Sequence, residues 1–295
     1  MRLADDEIRE AVQRALAEDL GSGDVTTLAT LPPSLEAAGA VVARAALVVA
    51  GLPLAEAAFR ELAPAVACVR RAEEGQRLAA GQTLLEVAGP AHALLAAERV
   101  ALNFLQRLCG IATLTAQFVA AVAGTPAIIL DTRKTTPGWR RLEKYAVACG
   151  GGRNHRFGLF DMVLIKDNHL AALGSTEADP IGLAVRRARA AYPQLRVEVE
   201  VETRDQLRQA LAAGADLILL DNMALEDLRW SVGQARGRAQ TEASGGVTLA
   251  TVRTIAETGV DFISVGALTH SARAADIGLD FTTGRAAGSL PHPAP

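Results

Sequence analysis

AIILD (127–131), DMVLIKD (161–167), RVEVEVE (196–202), DLILLDN (216–222), AQTEASGG (239–246) and DFISVGA (261–267) are short apolar runs that each close on polar, charged or small residues. Most are separated by segments with helical spacing, and that alternation predicts parallel strands joined by crossover helices. Six such units between residues 127 and 267 suit a closed or partly closed α/β barrel better than an open sheet. Functional groups in such barrels sit where strands end, on the loops leading to the next helix. Asp131, Lys166, Glu200, Asp221, Ser244 and Gly266 close the runs and are therefore expected to converge on one mouth.

The texture before residue 127 is different. Ile8, Ala11, Val12, Ala15, Leu16 and Leu20 recur at spacings of three and four, the apolar stripe of a helix over 5–20 that ends in GSGDVTT (21–27). From 38 to 87, short Val- and Leu-rich runs alternate with Gly, Pro and charge, including AAGQT (79–83), as in a small α+β unit. A long helix over 94–123, interrupted in composition only by Gly110, is expected to connect the two halves. The tail LPHPAP (290–295) is expected to fray.

With 295 residues, half of them hydrophobic, the chain can bury a sizeable core. A net charge of -3 argues against general attraction to nucleic acid or anionic membrane, so a small-molecule partner is expected. No membrane span is expected, because the apolar stretch 45–59 is broken by Gly51, Pro53 and Glu56. Asp5, Asp6 and Glu7 stand where a secretory leader would be basic, so a cytoplasmic location is expected. Cys68, Cys109 and Cys149 form neither an even disulfide set nor a C-x-x-C pattern and read as reduced packing residues.

Between Asp131 and His169 lie Arg133, Lys134, Arg140, Arg141, Lys144, Arg153, Arg156 and Lys166 against Asp131, Glu143, Asp161 and Asp167, a local excess of four positive charges. A polyanionic ligand is the natural complement, since the Arg fork matches carboxylate and phosphate and Lys supplies a compact charge. Arg140, Arg141 and Lys144 read equally well as a solvated helix face. Arg133, Lys134, Arg156 and Lys166 sit at strand ends or beside glycines, which favours ligand contact. In CGGGRNHRFG (149–158), three glycines let the backbone turn sharply ahead of Arg153, His155 and Arg156, and His155 is expected to hydrogen-bond an anionic ligand.

Glu200 and Asp221 end adjacent strands, a placement that suits a divalent cation or a developing positive charge; magnesium prefers such oxygen ligands and bridges them to phosphates. Glu198 and Glu202 share the alternation phase of Glu200, so spacing does not choose among the three. ASGGV (243–247) and SVGALTH (264–270) put small residues where helices start, as in barrel phosphate sites. Arg99, Asn103 and Gln106 make one polar stripe on the long helix, which must meet water or a partner.

DTRKTTPGWRRLEKYAVACGGGRNHRFGLFDMVLIKDNH (131–169), EVEVET (198–203), LILLDN (217–222), EASGGV (242–247) and SVGALTHSARAADIGLDF (264–281) together resemble the quinolinate phosphoribosyltransferases. EDLGSGDVTT (18–27) and AERVALNFLQRLCGIAT (97–113) extend the resemblance through nearly the whole chain. It implies an incomplete, open α/β barrel over 114–274 and an N-terminal α+β domain over 1–113 to which 275–295 return. It implies a homodimer with shared active sites, in which Arg99 enters the neighbour's site. Arg99, Arg133, His155 and Arg156 would then grip the two carboxylates of quinolinate. Lys134 and Lys166 would face the phosphates of phosphoribosyl pyrophosphate, Glu200 and Asp221 its ribose and magnesium, and Ser244, Gly245, Gly246, Gly266 and His270 its 5′-phosphate. The reaction implied is ribosyl transfer with loss of carbon dioxide, giving nicotinate mononucleotide.

Two other enzymes share parts of this pattern. Lys166 closes a strand as the Schiff-base lysine of a barrel aldolase does, although the abundance of phosphate-directed groups speaks against that chemistry. A relative with the same fold and a different ring, such as a nicotinate-type transferase or a protein of molybdenum uptake, would not need the full Arg and His set. A non-catalytic phosphate-binding protein would bind ligand without releasing pyrophosphate.

Overall fold

The computed structural model describes residues 1–174 and 179–283. The elements are α1 (Asp5–Leu20), α2 (Val25–Thr30), β1 (Glu36–Ala43), β2 (Leu47–Val48), α3 (Leu52–Leu62), β3 (Ala67–Arg70), β4 (Arg77–Leu78), β5 (Thr83–Pro90) and α4 (Ala91–Ala121). They continue with β6 (Ile128–Leu130), α5 (Arg140–Cys149), β7 (Val163–Ile165), α6 (Asp167–Leu173), α7 (Pro180–Ala191), β8 (Val197–Val201), α8 (Arg204–Ala213) and β9 (Leu217–Asp221). The series ends with α9 (Leu225–Ala235), β10 (Gln240–Ser244), α10 (Val252–Ala256), β11 (Phe262–Ser264), α11 (Ala267–His270) and β12 (Ile277–Thr283).

The chain divides into two units: one comprises Met1–Leu114, Arg141–Gly151 and the chain from Ala272 onward, the other Thr115–Arg140 and Gly152–Ser271. In the first, α1 buries Val12 and Leu16 on its apolar stripe, and the Ala4 N–H donates to the Glu7 carboxylate at 2.9 Å, satisfying a donor that the first turn leaves open. An antiparallel sheet runs in the order β12, β1, β5, β3, with Ala40 of β1 opposite Asp280 of β12 and Glu86 of β5. Strand β12 is the described part of the expected C-terminal return; 284–295, with the LPHPAP tail, lie outside the described residues.

Helix α5 departs from the boundaries expected from sequence. It belongs to the first unit although it lies within 114–274, because Leu142, Glu143, Lys144, Tyr145, Ala146 and Val147 are all buried and Arg107 of α4 grips Glu143 at 2.7 Å. Lys144, which the sequence left equally open to a solvated helix face and to ligand contact, is fully buried. Arg141 pairs with Glu7 at 2.6 Å.

Helix α4, with 31 residues, is long and apolar enough by composition to cross a bilayer, although no apolar run of that length was expected. The apolarity belongs to the protein interior: Leu94, Ala97, Val100, Ala101, Phe104, Leu105, Leu108 and Ile111 are buried. Gly110 sits in this helix for a packing reason. A Cβ there would lie 2.0 Å from the Arg273 carbonyl oxygen, so the chain beyond the barrel passes against bare backbone. Gly110→Ala, which would ordinarily stabilise a helix by about 0.5–1 kcal/mol, is expected instead to lower the thermal midpoint. A scan of both proteins decides it.

In the second unit, six parallel strands follow the order β6, β11, β10, β9, β8, β7. Chain order and sheet order agree around the ring except that β6 and β7 occupy the two edges, so this is an α/β barrel left open between its first and second strands. The glycine-rich segment runs along that opening: Leu130 bridges Arg153 in parallel sense, Arg153 N–H donates to Ile129 O at 2.9 Å and Asp131 N–H to Arg153 O at 3.2 Å.

Candidate active site

Opening the barrel at one seam gives the segment 153–156 a place beside β6, and buried Asp131 fastens it there. Its carboxylate accepts from Asn154 Nδ2 at 2.6 Å and from the His155 N–H at 2.9 Å. Asp131, expected at the mouth, is thus an anchor within the wall. The following turn is held by Asp161, which accepts from the N–H groups of Phe157 and Gly158 at 2.7 and 2.9 Å. These restraints fix where Arg156 emerges.

A cavity of about 590 Å³ opens at the strand ends. Arg133, Lys134, His155, Arg156 and Lys166 line it, and so do Glu200, Asp221, Ser244, Gly245 and Gly246. Arg133 Nε is buried without a hydrogen-bond partner, so the guanidinium is aimed at the cavity without a full protein commitment. Arg156 donates from Nη1 to Met162 O at 3.2 Å; burial and the neighbouring Arg133 charge lower its pKa. Two guanidiniums in one half-buried place repel each other, and an anion relieves that repulsion.

Lys166 forms an ion pair with Glu200 across adjacent strands β7 and β8. Of the three glutamates in one alternation phase, Glu200 lines the cavity, Glu198 is fully buried and Glu202 is exposed. Asp221 lies directly opposite Ser244 across β9 and β10. The carboxylates of Asp221 and Glu200 offer oxygen donors beside a glycine loop, a set that fits magnesium.

Gly245 and Gly246 have φ of +96° and +58°, so the loop after β10 takes a conformation open to glycine. Gly266 lies outside the cavity lining but bears on it: a Cβ there would lie 3.1 Å from both His270 Nε2 and Lys134 Cδ. Lys134 is held at its own carbonyl by Thr269 Oγ1 at 2.8 Å. His270 is exposed and meets Ser271 Oγ at 2.6 Å. Arg99 and Asn103 are exposed on α4 and do not line the cavity, whereas Gln106 donates to Ile277 O at 2.8 Å.

Sequence reading missed four groups here. Thr132 and Ser264 line the cavity at the ends of β6 and β11, Asn222 stands beside Asp221, and Glu242 lies beneath. A glutamate inside the apolar phase of AQTEASGG was the available signal for the last. His155 Nε2 lies 3.0 Å from Glu198 and 3.4 Å from Glu242, whose two oxygens and Glu198 Oε1 are buried without a hydrogen-bond partner. His155 Nδ1 accepts from the Arg156 N–H at 2.8 Å, so both ring nitrogens face protein instead of the expected anionic ligand. Glu198 and Glu242 both stand on the Nε2 side of the ring, and the three residues form a cluster whose ligand atoms a metal ion could also span.

Burial alone would lower the His155 pKa, but the hydrogen bond to Glu198 and the charges of Glu198 and Glu242 outweigh it and push the pKa up to about 10. Burial, with the Glu242 charge, pushes Glu198 up to about 7. The trio behaves as one unit that keeps an extra proton in the folded chain. A raised His pKa contributes stability that is complete below 6.5 and lost as pH climbs through about 10, and ionising Glu198 acts in the same direction between 4.5 and 7. The urea midpoint is therefore expected to fall from pH 7 to pH 10, and His155→Gln to flatten that slope. An unchanged slope would show that the trio holds no extra proton.

A second cavity, of about 640 Å³, lies in the first unit, where Glu56 takes up Arg70 at 2.7 Å and Arg60 at 3.7 Å. Arg60 and Arg70 there are already matched. The cysteines are free; burial raises their pKa, to about 11 for Cys68 and about 12 for Cys109 and Cys149, which suits packing and not nucleophilic chemistry.

Comparison with known proteins bears on both units. Residues 24–109 match the family described as quinolinate phosphoribosyl transferase, N-terminal domain, and 111–280 its C-terminal domain. A nicotinate-nucleotide pyrophosphorylase [carboxylating] from Mycobacterium leprae is 47% identical over 281 residues, covering 93% of this chain and 97% of its own. A probable nicotinate-nucleotide pyrophosphorylase [carboxylating] from Bacillus subtilis is 44% identical, covering 94% of each. The solved nicotinate-nucleotide pyrophosphorylase of Francisella tularensis superposes with a TM-score of 0.90 at 37% identity, covering 95% of this chain and 98% of that one.

Proposed function

The chain belongs to the quinolinate phosphoribosyltransferase family, and from that premise we propose that it transfers phosphoribosyl from phosphoribosyl pyrophosphate to quinolinate with loss of carbon dioxide, yielding nicotinate mononucleotide and pyrophosphate for NAD synthesis. The observation that carries this reading is the single cavity in which Arg133, Lys134, Arg156 and Lys166 face Glu200, Asp221 and a glycine loop. Cations for a dicarboxylate, acids for a ribosyl cation and N–H groups for a phosphate are what this pair of substrates requires.

In this reading Arg133 and Arg156 take the two carboxylates, and Arg99 of a second copy completes the grip. Gly245, Gly246 and Ser244, with Gly266 and His270 beside them, receive the 5′-phosphate on preorganised N–H groups. Lys134 and Lys166 face the pyrophosphate. Magnesium, held by Asp221 and Glu200, would neutralise charge on the departing pyrophosphate. The pyridine nitrogen lone pair bonds to C1′ as the C1′–oxygen pair leaves with pyrophosphate, and the two carboxylates balance the positive ribosyl carbon between those events. The adjacent carboxylate then departs as carbon dioxide, its bonding pair stays on the ring carbon where the neighbouring cationic nitrogen stabilises it, and a proton from water takes the vacated place. His155 supports this site from below, keeping Arg156 in place through its backbone and compensating two buried acids.

The homodimer rests on the exposed, otherwise unused Arg99 and Asn103, and the cytoplasmic location on three free thiols suited to a reducing compartment. The aldolase reading loses ground because Lys166 Nζ is engaged by Glu200 among phosphate-directed groups. Purified protein given quinolinate, phosphoribosyl pyrophosphate and magnesium should release carbon dioxide and nicotinate mononucleotide. Equal turnover of nicotinate, or none of quinolinate, would refute the proposal.

A further inference from the structure

Asn222 carries a backbone conformation that its neighbours do not. Its φ is +52°, and among the described residues no other non-glycine residue has a positive φ. Asn tolerates this region better than most side chains, yet Gly fits it best, so a turn alone would not call for Asn. Three contacts converge on the residue. Its N–H donates to Ser244 O at 2.9 Å, joining the ends of β9 and β10. Its Nδ2 donates to Asp221 Oδ2 at 2.8 Å. Its Oδ1 lies only 2.1 Å from where a Cβ on Gly245 would be, so the amide occupies the space that this glycine leaves.

We infer that Asn222 is a positioning residue that holds the Asp221 carboxylate and the Gly245–Gly246 loop in fixed relation, coupling the acidic end of the phosphoribosyl pyrophosphate site to its phosphate end. The inference rests on the function proposed above. The left-handed backbone sets the amide against Gly245, and one amide hydrogen orients Asp221 Oδ2. Loop and carboxylate then cannot shift independently. Quinolinate-directed Arg133 and Arg156 lie on the loop after β6 and on the segment beside it, and stand outside this coupling.

Asn222→Gly separates the two roles of the residue, because it relaxes the backbone while removing the amide. Calorimetric titration of phosphoribosyl pyrophosphate in magnesium should show a dissociation constant raised by roughly 10- to 100-fold, as for loss of a partner that orients a ligating carboxylate. Quinolinate binding should change by less than about twofold and the thermal midpoint should hold or rise. Asn222→Gly binding phosphoribosyl pyrophosphate like the parent protein would reduce Asn222 to a turn residue and overturn the inference alone. Equal weakening toward both substrates would overturn it too, as general damage. If the parent protein binds no phosphoribosyl pyrophosphate, the proposed function falls and this inference with it.

Discussion

Arg133→Ala is expected to lower kcat/KM for quinolinate by roughly 10²- to 10³-fold, a loss of about 2.7–4 kcal/mol of transition-state stabilisation. The reason lies in what the protein leaves undone at Arg133: its Nε is buried with no hydrogen-bond partner, so the side chain is held ready without being consumed by the protein. A buried donor in that state costs stability until a ligand completes it. The substitution should accordingly leave the urea midpoint equal or higher while turnover collapses. Arg133→Lys should recover little, because an ammonium does not reproduce the planar fork. Steady-state kinetics beside urea unfolding decides the matter; near-normal turnover in Arg133→Ala would remove this residue from the ligand site.

Arg107→Ala should have the opposite profile. Arg107 donates to Glu143 at 2.7 Å and to Ala272 O at 3.0 Å, and the Glu143 side chain is fully buried. Its loss takes the guanidinium away from a carboxylate in the interior, which is more costly than losing a surface pair. A destabilisation of roughly 2–4 kcal/mol is expected, below the full cost of a buried pair because the Arg107 side chain keeps 26% of its exposure. Urea unfolding should report it, while substrate constants of the remaining folded protein stay near those of the parent. Arg107→Ala with unaltered stability would show that Glu143 finds compensation within the first unit.

The contrast between Arg133 and Arg107 marks how far sequence reasoning reaches. Both are arginines in strings that carry the family resemblance, and neither composition nor spacing distinguishes a ligand group from a structural one. The barrel strands were legible because burial on both faces leaves uninterrupted apolar runs, and their ends because polar groups can only stand where the barrel opens. The position of Lys166, Glu200, Asp221 and Ser244 at one cavity follows from that logic. The separate fates of Glu198, Glu200 and Glu202 do not: three residues in one phase face the same way, and depth along the strand decides which is buried, which lines the cavity and which meets water.

The same division explains the remaining differences. Helix α5 carries amphipathic spacing, but its partner, Arg107, is 36 residues away from Glu143, and a contact so remote leaves no local mark. His155 looked like a ligand contact because cations surround it in sequence; the acids that claim it come from β8 and β10, 43 and 87 residues later in the chain. By itself the sequence determined the strand series, the glycine loops, the cationic segment and the family, since each is written in neighbouring residues through periodicity or backbone freedom. Only the tertiary structure decided which charges pair, which are buried and which stay available to a ligand, because electrostatic energy depends on distance and solvent exposure, and both are set by chain segments far apart in order.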